Sequence, residues 1–151
     1  MSRTASYHTT VSWKGEHRGH LVMGNGPKMD FSAPPDAQGQ EGVFTPEDAF
    51  VAAANTCIML MFIWACERFK LDLQSYECRA EGTKLIELDR TEIFTHIRFW
   101  PIIRVGIGQD PPEIVEKRTR RAMLSAQKYS LVANSVKSEI IIEPKIELMS
   151  S

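Results

Sequence analysis

The residue types that carry redox and nucleophilic chemistry are sparse in this chain: three cysteines, Cys57, Cys66 and Cys78, and four histidines. Cys57 stands apart because of its setting. It lies in the run AFVAAANTCIMLMFIWAC, Ala49 to Cys66, which carries no charge, and the plainly polar Asn55 and Thr56 come directly before it. On a helix its neighbours one turn away are Ala53, Ala54, Leu60 and Met61. The small residues leave room beside the sulfur and the large ones make an apolar wall. That setting suits a thiol that attacks a small substrate. It also suits a cysteine packed as a small hydrophobe, which is the commoner case for such a position. Reaction requires the thiolate, and a helix dipole acts only within the first turn, so a cation has to come from elsewhere. Arg18, in KGEHRG, is one candidate; Arg79, Arg90, Arg98, Arg104 and the basic residues of the second helix are others. Arg18 also reads as a solvated turn residue, and from the sequence that is the favoured reading.

The remaining candidates are weaker. Cys66 follows Cys57 on the same helix at a spacing that puts it on the opposite face and roughly 13 Å along the axis. A disulfide needs Cα atoms within about 7 Å, so the two cannot bridge within the helix. Cys66 and Cys78 read as core residues. His17 and His20 have HxxH spacing, but no Cys, Asp or Glu cluster completes four ligands, and no metal is expected. GNGP and GIG are turns rather than a dinucleotide fingerprint, and GxSxG and Walker motifs are absent, so no cofactor is expected.

Composition narrows the class. The net charge is −1 and the pI about 6.4, which argues against a general nucleic-acid binder. The N-terminal stretch MSRTASYHTTVSW lacks the apolar core of an export signal. Together with three cysteines in no paired framework, it points to reduced thiols and a cytoplasmic location. The uncharged run reaches the lower edge of a membrane span, which needs about 20 residues. Its alanines, its central Asn and Thr and the lack of a flanking aromatic and basic belt argue against one.

The elements that must position Cys57 follow from periodicity and punctuation. Tyr7 to Trp13, His20 to Met23 and Lys28 to Ser32 read as three strands separated by KGEHRG and GNGP. Thr45-Pro46-Glu47-Asp48 is a helix start with a capping hydroxyl, Pro at the first position and a capping-box acid. The helix is predicted from Pro46 to Phe69. Glu77 to Ile86 and Thr91 to Val105 read as two long strands. Asp110-Pro111-Pro112-Glu113 opens an amphipathic helix to Tyr129, and a final strand is predicted from Glu139 to Leu148. The order βββ-α-ββ-α-β is α+β with a mostly antiparallel sheet, in a single domain spanning 1–151. A helix apolar on all sides must be covered on all sides, and a second copy of the chain is the simplest cover.

FTPEDAFVAAANTCIMLMF resembles the central helix of the OsmC/Ohr family, the osmotically induced and organic hydroperoxide resistance proteins, in its Pro-Glu start, alanine-rich turn and cysteine ten residues after the glutamate. AQKYSLVANSVKSEIIIEPKIE is similar to that family's second-helix exit, where a second cysteine precedes the last strand. The resemblance implies an intertwined homodimer and thiol-dependent reduction of hydroperoxides. It makes Cys57 the peroxidatic thiol, with Glu47 paired to an activating arginine, for which Arg18 stands nearest. The loop APPDAQGQEGVF, where other members keep an arginine, has none. The second cysteine is replaced by Ser130, which cannot close a disulfide, so rescue of oxidised Cys57 falls to Cys78, Cys66 or an external thiol reductant. Glu47 lies roughly 15 Å from Cys57 along a straight helix, so one helix alone cannot bring the two side chains together. Two functions follow: a hydroperoxide reductase with an external reductant, or a non-catalytic dimer that binds a small apolar or thiol-bearing ligand. Met61 and Phe62, with Met59, are the candidate pocket wall in either case, and fit plain core packing as well.

Overall fold

Local signals set the helix limits. In the computed structural model, which describes residues 1–150, α1 spans Pro46–Arg68. Its start is a reciprocal capping box. Asp48 N–H donates to Thr45 Oγ1 at 3.0 Å, while Thr45 N–H and Oγ1–H donate to Asp48 Oδ2 at 3.2 and 2.8 Å. These bonds satisfy backbone donors that a helix start leaves without partners.

The chain forms two compact units, Met1–Phe50 and Val51–Ser151. The first is built on an antiparallel sheet in the order β1 (Thr9–Gly15), β2 (Arg18–Met23), β3 (Lys28–Ser32). Gly15 at φ 101° and Glu16 at φ 51° reverse the chain so tightly that Arg18 already pairs with Gly15 and with Ser32. Arg18 therefore begins a strand and does not sit in the turn expected from KGEHRG. A 3-10 turn, Pro35–Ala37, interrupts the Pro- and Gly-rich loop.

The second unit carries a sheet in which β4 (Asp72–Ile86) and β5 (Glu92–Gly106) pair antiparallel. β4 begins earlier than the sequence suggests, because a register shift between Leu73 and Ser75 lets a polar stretch still pair. The expected final strand is two: β6 (Glu139–Ile142) and β7 (Lys145–Met149), both parallel to β5. They part where Pro144 comes opposite Pro101. Neither proline has an N–H to give a ladder, so the pairing stops and restarts.

Helix α2 spans Pro112–Tyr129 and α3 Leu131–Ser135. The cap expected from Asp110 is absent: Pro111 is the N-cap, without a side-chain bond. The N–H groups of Ile114 and Val115 instead go to Pro111 O at 3.0 and 3.2 Å, and Asp110 pairs with Arg118. The core of this unit joins Ala54, Ile58, Phe62, Ala65 and Cys66 of α1 to Ile97, Phe99, Ile103 and Val105 of β5 and to Val115, Ala122, Met123 and Ala126 of α2. α1 comes close to the sheet at Gly82, where a Cβ would stand 2.8 Å from Val51 Cγ2.

Candidate active site

α1 puts Cys57 between two kinds of neighbour. The polar residues before it are used by the backbone. Asn55 Nδ2 donates to Cys78 O at 3.1 Å and ties α1 to β4. Thr56 Oγ1 donates back along the helix to Ala52 O at 2.8 Å. Cys57 itself is half-buried, and among the described residues the hydrogen bond to its sulfur comes from Ser130: Oγ–H donates to Cys57 Sγ at 3.2 Å.

Ser130 stands at the junction of α2 and α3, in an extended conformation with φ −69° and ψ 118°. It is wholly buried. Its Oγ accepts from Ala133 N–H at 3.2 Å, and its carbonyl accepts from Asn134 N–H at 3.0 Å. The chain breaks helix here because the side chain competes for the backbone donors of the next turn. SLVANS carries that capping signal, a Ser just before a short helical stretch, but the meeting with a residue far away in sequence has no local signature.

The other cysteines differ. Burial, and then the neighbouring Glu67, push Cys66 up to about 12 from an ordinary 9.0. Burial raises Cys78 as well, against smaller opposing effects from its hydrogen bonds to Tyr76 and the Trp100 backbone. Both are held as thiols at neutral pH, and all three cysteines are free.

The remaining expected residues fall as follows. Met61, one turn beyond Cys57, is half-buried. Phe62 is fully buried, its ring 5.4 Å from that of Tyr76, and packs as a core residue. Glu47 lies half-buried in the first turn of α1 and belongs, like Arg18, to the 1–50 unit. Arg18 is exposed and lines a polar cleft of about 350 Å³ with His17, Ser32, Gln38 and Gln40. His17 and His20 do not converge on a ligand: His20 Nδ1 bonds Asp30 Oδ1 at 2.8 Å. Of the sequence-derived site residues, the structure brings Cys57 and Ser130 together.

Comparison with known proteins extends this geometry. The family model described as OsmC, OsmC-like protein, matches residues 39–145. No curated protein matches the sequence significantly. An OsmC-like protein of unknown function from Vibrio cholerae is 23% identical with a TM-score of 0.80, over 94% of this chain and 100% of that one. An organic hydroperoxide resistance protein OsmC from Legionella pneumophila is 13% identical with a TM-score of 0.69, over 97% and 99%. The organic hydroperoxide resistance protein OhrB of Bacillus subtilis is 14% identical with a TM-score of 0.62, over 95% and 98%. At these identities the structures speak for the fold, and the matched segment, which covers most of the chain and contains both Cys57 and Ser130, speaks for descent: this chain belongs to the OsmC-like protein family.

Proposed function

We propose that the protein is a thiol-dependent hydroperoxide reductase in which Cys57 is the peroxidatic thiol and an external thiol is the reductant. The observation that carries this reading is the Cys57–Ser130 pair: a half-buried sulfur that receives a hydroxyl hydrogen bond, in a chain whose other thiols burial holds protonated. The hydroperoxide resistance proteins among the similar structures support it.

The Cys57 thiolate attacks the terminal oxygen of a hydroperoxide. The S–O bond forms, the O–O bond breaks, and the alkoxide leaves as an alcohol after taking a proton. Cys57 is then a sulfenic acid. Ser130 offers an oxygen, not a thiol, so no disulfide closes at that contact. One external thiol displaces water to give a mixed disulfide, and a second releases Cys57 and carries the disulfide away. Met61 supplies an apolar flank. The family resemblance assigns Glu47 and Arg18 the holding and activation of the thiolate. Three unpaired thiols suit a reducing, cytoplasmic setting.

The reading includes a homodimer. On α1, Leu60 and Trp64 are 47% and 51% exposed, and Ala53 and Thr56 continue the same stripe. Water is a poor cover for such a strip, and a second copy buries it against its own counterpart.

Turnover of cumene hydroperoxide with a dithiol reductant tests the activity. Wild-type protein consumes peroxide and Cys57→Ser does not; equal rates in the two end the proposal. Ser130, in place of a second thiol, favours one alternative, a dimer that binds an apolar or thiol-bearing ligand without turnover. A co-purified ligand in native mass spectrometry, with no peroxide consumption, identifies that case.

A further inference from the structure

We propose that Ser130 is a positioning residue for the Cys57 thiolate, a buried hydroxyl held so that its one proton faces the sulfur. The inference deepens the reading above and rests on Cys57 being the reacting group. A serine hydroxyl has one donor hydrogen and two acceptor lone pairs. Ala133 N–H occupies a lone pair at 3.2 Å. The hydrogen is left for Cys57 Sγ, also at 3.2 Å. An ionised sulfur can only accept, so the pair is matched to the thiolate and strengthens when the thiol loses its proton.

Two features keep the donor in place. The residue is fixed at the α2–α3 junction by its own carbonyl, which accepts from Asn134 N–H at 3.0 Å. It is also 0% exposed, so water does not compete for the hydroxyl and the bond acts in a low-dielectric setting. Among the described residues no lysine or arginine bonds to Cys57 Sγ, while this hydroxyl does. Ser130 thus has a function of its own at the sulfur, beyond capping α3.

The test is the pH profile of Cys57 alkylation by iodoacetamide, with no peroxide present, in wild type, Ser130→Ala and Ser130→Thr. Losing a hydrogen bond to a charged acceptor reduces the thiolate fraction at neutral pH by about tenfold. The remaining, more basic thiolate is a better nucleophile, so the rate falls by only about threefold. Ser130→Ala is therefore expected to move the profile to higher pH and lower the neutral-pH rate. Ser130→Thr, which keeps the hydroxyl, is expected to restore both. A role confined to the α3 cap would lower the melting temperature of Ser130→Ala and leave its profile on that of wild type; that result overturns the proposal. Because the readout needs no turnover, a wild type inert toward hydroperoxide refutes the proposed function and leaves the Ser130 result legible on its own.

Discussion

Cys66 and Tyr76 show what burial does to an ionisable side chain here. Burial comes first in raising both, followed by Glu67 for Cys66 and by Cys78 for Tyr76. Each folded value lies above the unfolded one, so the folded state holds its proton more tightly. The stability they contribute is complete below about pH 9 and is lost as pH rises towards the folded value of Cys66, about 12. Each group that ionises only when unfolded adds a slope of about 1.4 kcal/mol per pH unit. Urea titrations at a series of alkaline pH values are expected to show this decline, and Cys66→Ala is expected to remove one group's share of the slope. At this scale the sequence was informative about identity and poor about contacts. Cys57 could be picked out by its own neighbours. Ser130 stands out only by its place in the family resemblance, because a hydrogen bond between residues so distant in the chain leaves no mark on either local pattern. Arg18 reads as a turn residue because KGEHRG has no cue that the reversal at Gly15 and Glu16 is so short.

Helices and strands were legible to different degrees for one reason, the range of the interactions that end them. The start of α1 is set by Thr45, Pro46 and Asp48, which touch one another, so it could be read from a few adjacent residues. Thr45→Ala removes the capping hydroxyl and is expected to cost about 1 kcal/mol, a fall in melting temperature of roughly 2–4 °C. Thermal denaturation followed by circular dichroism checks it, and an unchanged midpoint shows the cap to be idle. The ends of the strands depend on partners elsewhere. The start of β4 at Asp72 rests on pairing with Gly106 across a register shift. The break between β6 and β7 rests on Pro144 meeting Pro101. Pro144 was the available warning, since a proline inside an apparent strand marks an interruption.

For the whole molecule, the unusual feature is a helix that is apolar on all sides with a large aromatic ring left on its surface. Trp64→Glu places a charge in the stripe through which two copies are proposed to meet. It is expected to convert a dimer into a monomer at micromolar concentration, measured by light scattering after size exclusion. A wild type that is already monomeric under those conditions removes the dimer from the reading. Class and helix order were open to sequence reasoning because α1 and α2 carry strong end signals and the β4–β5 hairpin is continuous. The parallel placement of β6 and β7 beside β5 was not, since it follows from how the chain returns after α2 and α3. That return also makes the pairing of β5 with β6 and β7 non-local along the chain. β4 and β5 adjoin along the chain, whereas β6 and β7 come back to β5 only after α2 and α3, a longer loop to close. Ser130 lies in the returning segment, at the start of α3. A chain in which β4 and β5 had paired but α2 and α3 had not docked would carry Cys57 without the Ser130 hydroxyl beside it.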